Sequence, residues 1–277
     1  MRHFLTGTLL SLLPLIAAHA LAAPTSKTAG TAWGQWTVQT QPRPEESRLN
    51  LLRRDRTDLT LQEHLIQTEQ QPLRPGGLPE LAVSLYSGGA HCCTTLVILT
   101  QDPGFLKTLG VLDLGNGAVE YRDLNGDGTR EMLVWGDSLA YYDWSYAASP
   151  GLRTVVGWDS AQGRLTDQTG RYPGIPLSQA RAYRNELIQL LHTGKTAETQ
   201  ESQHAMLAGW YTNMVLGGQS TQAERQVRQL TAAYPELQNW FRKHRGDLLA
   251  AAKSERSGRL LTGPAALKQL NRAQDTQ

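Results

Sequence analysis

The hydrophobic period of this chain changes once, near Pro173-Gly174-Ile175-Pro176, and the change limits what the residues on either side can fold into. Upstream, apolar residues recur at every second position between turn residues, the pattern of half-buried strands. Leu81, Val83 and Leu85 fall on one face of such a strand, and Ala82, Ser84 and Tyr86 on the other. Gly115-Asn116-Gly117 tolerates positive φ and predicts a hairpin turn, and Asp159-Ser160-Ala161-Gln162 predicts another. Downstream, Ala180, Tyr183, Leu187 and Leu190 form a helical stripe that Ser178 is placed to cap. Thr221 and Glu224 have capping-box spacing, and Val227, Leu230 and Tyr234 continue that helix to Pro235. Further turns run through Leu237, Trp240, Phe241, Leu248 and Leu249. The expectation is a mainly antiparallel β domain over residues 24–174, a smaller all-α region over 175–262 and a frayed polar tail over 263–277. With 277 residues, the chain has room for two modest cores.

The first residues read differently. Arg2 and His3 precede the apolar run FLTGTLLSLLPLIAA, and small residues follow as Ala18-His19-Ala20-Leu21-Ala22-Ala23. Basic end, apolar middle and A-x-A site are the parts of a signal peptide, here residues 1–23, with cleavage after Ala20, Ala22 or Ala23. An uncleaved anchor is the alternative. No later apolar stretch approaches the roughly 20 residues of a transmembrane helix, so the expected address is periplasmic or extracellular, with no integral membrane segment after cleavage. The charge is near balance, 27 basic against 25 acidic residues, which gives no electrostatic reason to expect nucleic acid or an anionic membrane as partner.

The densest chemistry lies in Asp123-Leu-Asn125-Gly-Asp127-Gly128-Thr129-Arg-Glu131. Oxygen donors stand at alternate positions one to nine, with Asp123, Asn125, Asp127 and Glu131 offering side chains and Thr129 its carbonyl. Calcium takes six to eight oxygens at short range, and glycine lets the backbone turn around the ion. Three crowded carboxylates repel each other without a cation. An EF-hand would place a bidentate Glu at position twelve, where this chain has Val134, and Met132-Leu133-Val134-Trp135 reads as a strand. The alternative is a metal-free turn between two strands.

A loop of this kind running directly into an apolar strand resembles the FG-GAP repeats of integrin-type β-propellers and the VCBS repeats of secreted bacterial proteins. Upstream, Gly88-Gly89-Ala90-His91-Cys92-Cys93-Thr94-Thr95 resembles a motif of secreted bacterial proteins of uncharacterised function. Downstream, Tyr141-Tyr142-Asp143-Trp144-Ser145-Tyr146, Gly163-Arg164-Leu165-Thr166-Asp167 and Arg171-Tyr172-Pro173 continue the likeness, which spans about residues 80–190. The resemblance implies a calcium-loop β domain, propeller-blade-like or sandwich-like, and no assigned activity. A full propeller repeats the loop several times, whereas this chain has it once, so no closed propeller is inferred.

Gly136-Asp137-Ser138-Leu139 spells the nucleophile motif of GDSL esterases after an apolar strand. A serine nucleophile needs a base held by a carboxylate, and the D-x-x-H element that supplies both in that family is absent from the sequence. His192, His204 and His244 fall on predicted helices instead. Cys92 and Cys93, the chain's two cysteines, point to a structural disulfide or two small buried side chains, with a soft-metal or redox site including His91 as the alternative. Trp135, Tyr141, Tyr142, Trp144, Tyr146 and Trp158 read as core packing, since aromatic residues form sheets well, with binding of a sugar or partner protein as the alternative. The leading reading is an exported, calcium-stabilised binding or structural module whose partner is an unknown protein or glycan. The alternative is a serine hydrolase acting through Ser138.

Overall fold

The computed structural model describes residues 30–266 except 90, 91, 103, 194, 195 and 258, and leaves the side chains of Cys92 and Ser257 undescribed. The segment read as a signal peptide, residues 1–23, lies outside the described residues. β1 (Thr31–Trp33), β2 (Trp36–Gln41), β3 (Ser47–Arg53) and β4 (Arg56–Glu63) form one antiparallel meander. β5 (Leu65–Gln71), β6 (Glu80–Gly89), β7 (Cys92–Asp102) and β8 (Phe105–Gly115) form a second, and β9 (Ala118–Arg122), β10 (Glu131–Gly136), β11 (Leu152–Asp159) and β12 (Arg164–Asp167) a third. Four helices follow, α1 (Gly174–Leu190), α2 (Ala197–Leu216), α3 (Ser220–Thr231) and α4 (Pro235–Ser257). A last short strand, β13 (Leu260–Leu261), returns to pair with β8.

The second sheet is the middle layer. Leu81 faces Leu99 across the β6–β7 ladder, Val83 faces Val97, and both pairs belong to the core shared with Trp33, Trp36, Leu49 and Leu51 of the first sheet. The intervening residues Ala82, Leu96 and Ile98 pack with Met132, Val134 and Val156 of the third sheet. Because strand side chains alternate, burial on both faces requires an unbroken apolar run, which Leu96-Val97-Ile98-Leu99 supplies. The third sheet turns its other side to the helices, where Leu152 joins α2 residues in a third cluster. α2 lies at the centre of the helical layer, and its residues 205–214 are all buried. No described helix is long and apolar enough to cross a membrane.

β12 covers only the part of β11 from Val156 to Asp159. Upstream, side chains take the place of the missing strand. The Tyr183 hydroxyl accepts from Gly151 N at 2.7 Å, Asn213 Oδ1 from Arg153 N at 3.0 Å, and Thr169 Oγ1 from Val155 N at 3.0 Å. Asn213 Nδ2 donates back to the Gly151 carbonyl at 3.2 Å.

Several local expectations are corrected. Gly115-Asn116-Gly117 makes a turn, closed by Gly117 N donating to Leu114 O at 2.7 Å, but it passes the chain from the second sheet to the third instead of closing a hairpin. Asp159-Ser160-Ala161-Gln162 does join paired strands. α1 starts at Gly174, so Ser178 lies inside it and caps nothing. α3 starts at Ser220, so Thr221 lies inside it and forms no capping box, and Glu224 accepts from the Tyr211 hydroxyl at 2.7 Å and from Arg245. The region after 262 is not all frayed, since Ala266 is fully buried between the first two sheets; residues 267–277 lie outside the described residues.

Glu80, at the start of β6, is completely buried. Its carboxylate accepts from Leu73 N at 2.9 Å, Arg74 Nε at 2.7 Å and the Thr100 hydroxyl at 3.2 Å, and so holds the β5–β6 connection against the sheet. Removing the acid leaves a cation and a buried amide without their partner. Glu80→Ala is therefore expected to destabilise the fold by about 3–5 kcal/mol, measured by chemical denaturation. A loss below about 1 kcal/mol would show that water replaces the carboxylate at little cost.

Candidate functional site

The Glu131–Arg122 pair of the β9–β10 ladder closes the base of the acidic loop. Gly126 and Gly128, at φ of 77° and 85°, let the backbone curl so that its amides point inward. Asp123 Oδ1 accepts from Gly126 N at 2.7 Å and Asn125 N at 3.3 Å, and its Oδ2 from Gly128 N at 2.9 Å. Asn125 Oδ1 accepts from Asp127 N at 3.0 Å, and Asp127 Oδ1 accepts from Thr129 N at 2.8 Å and the Thr129 hydroxyl at 2.5 Å. These bonds stabilise the charged forms. The Gly128 amide, first among several, holds the Asp123 carboxyl below its ordinary range, and the Thr129 hydroxyl does the same for Asp127.

Glu131 is the buried member, 6% exposed. Its Oε2 accepts from Leu124 N at 2.9 Å and its Oε1 from the Tyr172 hydroxyl at 2.7 Å, which joins the loop to the segment leading into α1. Burial, and then this carboxylate, push the Tyr172 phenol up to about 12. Arg130 fastens the loop to the second sheet, its N–H donating to Pro72 O at 2.8 Å and its Nη1 to Gln71 Oε1 at 2.9 Å. A cleft of about 330 Å³ opens between Asn125, Asp127 and Thr129 on one side and Asp159, Ser160 and Arg171 on the other.

As a cation site the loop fits in its donor types. Asp123, Asn125, Asp127, Thr129 and Glu131 stand on one tight turn, and Asp123 Oδ2, which accepts one amide, retains a second lone pair, whereas Asp123 Oδ1 and Asp127 Oδ1 each accept two hydrogen bonds. Among the described residues, however, no three His, Cys, Asp or Glu side chains are gathered closely enough to hold a metal. Asn125 Nδ2 donates to Asp127 Oδ2 at 2.8 Å, and that contact must open before both oxygens can turn to an ion.

Gly136-Asp137-Ser138-Leu139 has a different environment. Asp137 Oδ2 accepts from Asn116 N at 2.7 Å, and its Oδ1 is ion-paired with Arg259. Ser138 N donates to Glu255 Oε1 at 2.8 Å, and the Ser138 hydroxyl accepts from Arg259 at 3.3 Å. Glu255, with no exposed side-chain surface, lies 2.9 Å from Arg259 Nε, close enough for an ion pair but out of hydrogen-bond alignment. The described histidines are engaged elsewhere. His64 meets Glu45 O, His192 meets Ile188 O, and His204 and His244 both stack on Trp240.

Ala90 and His91 lie outside the described residues. Cys93 is disulfide-bonded, and its amide donates to Ser87 Oγ at 2.8 Å. The aromatic residues divide. Trp144 is buried and donates to Leu139 O at 2.9 Å, and the Tyr142 hydroxyl meets His244 Nδ1 at 2.7 Å, while Trp135 and Tyr141 are exposed. Sequence reasoning missed Tyr172, Glu255 and Arg259 as site residues, because their contacts with Glu131, Ser138 and Asp137 cross long stretches of chain that no local pattern announces.

No family model matches the chain, and no solved structure matches it. A stretch of 145 residues, 52% of the chain, is 27% identical to the "Uncharacterized protein y4bJ" of Sinorhizobium fredii. The match spans 22% of that relative's length.

The depressed carboxyls set a pH dependence. A folded-state pKa below the unfolded one stabilises the protein fully above about pH 4, and the contribution is lost as pH falls through the depressed value. Asp123→Asn is therefore expected to flatten the decline of melting temperature between about pH 4 and pH 2. An acid decline as steep as that of the unaltered protein would show that the loop amides do not favour the charged form.

Proposed function

We propose that the chain is an exported, calcium-stabilised β module that binds a partner or supports a larger assembly, and that it carries out no catalysis of its own. The observation that carries this reading is the inward-curled loop from Asp123 to Glu131, with alternate oxygen donors and a buried glutamate at its base. Calcium bound there would be held by Asp123, Asn125, Asp127 and Glu131 with the Thr129 carbonyl, once these side chains turn toward it, and would supply positive charge to the loop's carboxylates. The loop's bonds to Pro72 and Tyr172 would carry that stabilisation into the second sheet and toward the helices.

The sheet arrangement agrees with a blade-like reading. Propeller blades are four-stranded antiparallel meanders, and here three successive meanders stack face to face without closing a ring. The apolar leader supports export, and the uncharacterised relative adds no activity. Against the hydrolase reading, the Ser138 hydroxyl accepts from a guanidinium, which cannot act as a general base.

Calcium at about 1 mM, for affinities of about 10⁻⁴ to 10⁻³ M, is expected to raise the melting temperature by about 1–5 °C, and magnesium by less. Asp127→Ala should lose the calcium-dependent part. Equal melting temperatures in calcium and in chelator would make the loop an ordinary turn. Short-chain ester substrates are expected to show no Ser138-dependent turnover, and hydrolysis that disappears in Ser138→Ala would replace this reading with the hydrolase.

A further inference from the structure

We propose that a cleft at the β10 end of the third sheet binds a neutral carbohydrate ring, an assignment that rests on reading the chain as a binding module. The cleft measures about 360 Å³, is walled by Trp135, Tyr146 and Tyr183, and is edged by Asn116, Asp137 and Ser149. Its rings are held firmly. Arg153 places its guanidinium 4.0 Å from the Trp135 ring centroid and leaves Nη1 buried without a hydrogen bond. Gly151 makes room for the indole edge, since a Cβ there would stand 2.6 Å from it. The Tyr183 hydroxyl is tied to both the amide and the carbonyl of Gly151, and Tyr146 packs against Tyr141 at 5.3 Å between ring centroids.

Trp135 is nevertheless 36% exposed, on a strand whose preceding residues Met132, Leu133 and Val134 are at most 1% exposed, and Tyr141 is 52% exposed. Rigid aromatic rings facing water contribute little to a core, and they offer flat apolar surface at low entropic cost on binding. The polar edge determines the ligand's charge. Asp137 shares Arg259 with the buried Glu255, so the cleft edge presents amide and hydroxyl groups beside a carboxylate held by hydrogen bonds, which repels an anion and accepts from the hydroxyls of a neutral ligand. A pyranose matches both halves, with an apolar C–H face for the rings and hydroxyls for the edge. The volume suits one or two such rings better than an extended peptide.

The test uses calcium-loaded protein titrated with cellotriose, chitotriose and maltotriose, followed by saturation-transfer NMR and calorimetry. At least one sugar is expected to bind with a dissociation constant of about 1 mM or tighter. Trp135→Ala and Tyr146→Ala should each weaken it about tenfold, whereas Trp135→Phe retains most of the affinity and Phe105→Ala, at a distant exposed ring, retains all of it. Tyr146→Ala decides the matter if Trp135→Ala does not fold. No binding of any sugar at about 10 mM, or equal affinity in the aromatic variants, overturns the proposal. So does a proline-rich hexapeptide that binds while the sugars do not. Melting curves of the same samples with and without calcium report on the loop separately, so loss of sugar binding with an intact calcium shift leaves the loop reading standing.

Discussion

The edge of β11 is the constraint on which the rest of the molecule depends. A strand between layers cannot leave its backbone groups unpaired, because an orphaned buried amide costs about as much as a lost hydrogen bond. β12 is too short to cover the whole edge, and Tyr183 of α1, Asn213 of α2 and Thr169 complete it. The helices are thus part of the sheet's hydrogen bonding as well as its cover. Separating the two regions would expose an open edge, and the third sheet and the helices form one unit although the hydrophobic period divides them in the sequence.

Features written in consecutive residues were legible, and features made by distant partners were not. The alternation of Leu81, Val83 and Leu85 gave the face of β6, and the turn residues from Asp159 to Gln162 gave a true hairpin. Gly115-Asn116-Gly117 has equally good turn chemistry, yet its flanking strands belong to different sheets, because turn propensity is local and strand pairing is not. Two burial faces were present in Leu96-Val97-Ile98-Leu99, where a continuous apolar run marks a strand covered on both sides. The helix caps failed for a related reason. Thr221 and Glu224 have capping spacing, but α3 reaches back to Ser220, and the tyrosine and arginine of neighbouring helices hold the Glu224 carboxylate.

The same division holds at the candidate site. Asp123 to Glu131 could be located because the donors lie on one short loop, while the attachment of Glu131 to Tyr172 crosses a hairpin and has no signature. Gly-Asp-Ser-Leu shows the converse. A tetrapeptide specifies a nucleophile only when a base is placed beside it, and here its neighbours are Arg259 and Glu255, which anchor the end of β10 to the C-terminal part of the chain. The motif's residues terminate a strand and receive a buried ion network. Their chemistry comes from those partners, which the tetrapeptide does not name.

The return of β13 to the second sheet, with Ala266 filling the core against the first, has a consequence for how the molecule assembles. Residues 260–266 complete an interior built from residues 33–111, so a chain without them has an unfilled place between its first two layers. Contacts so far apart in sequence carry a large loop-closure entropy and slow the approach to the native state. The meanders can form early from near neighbours, but closure of the interior between the first two sheets waits for residues 260–266.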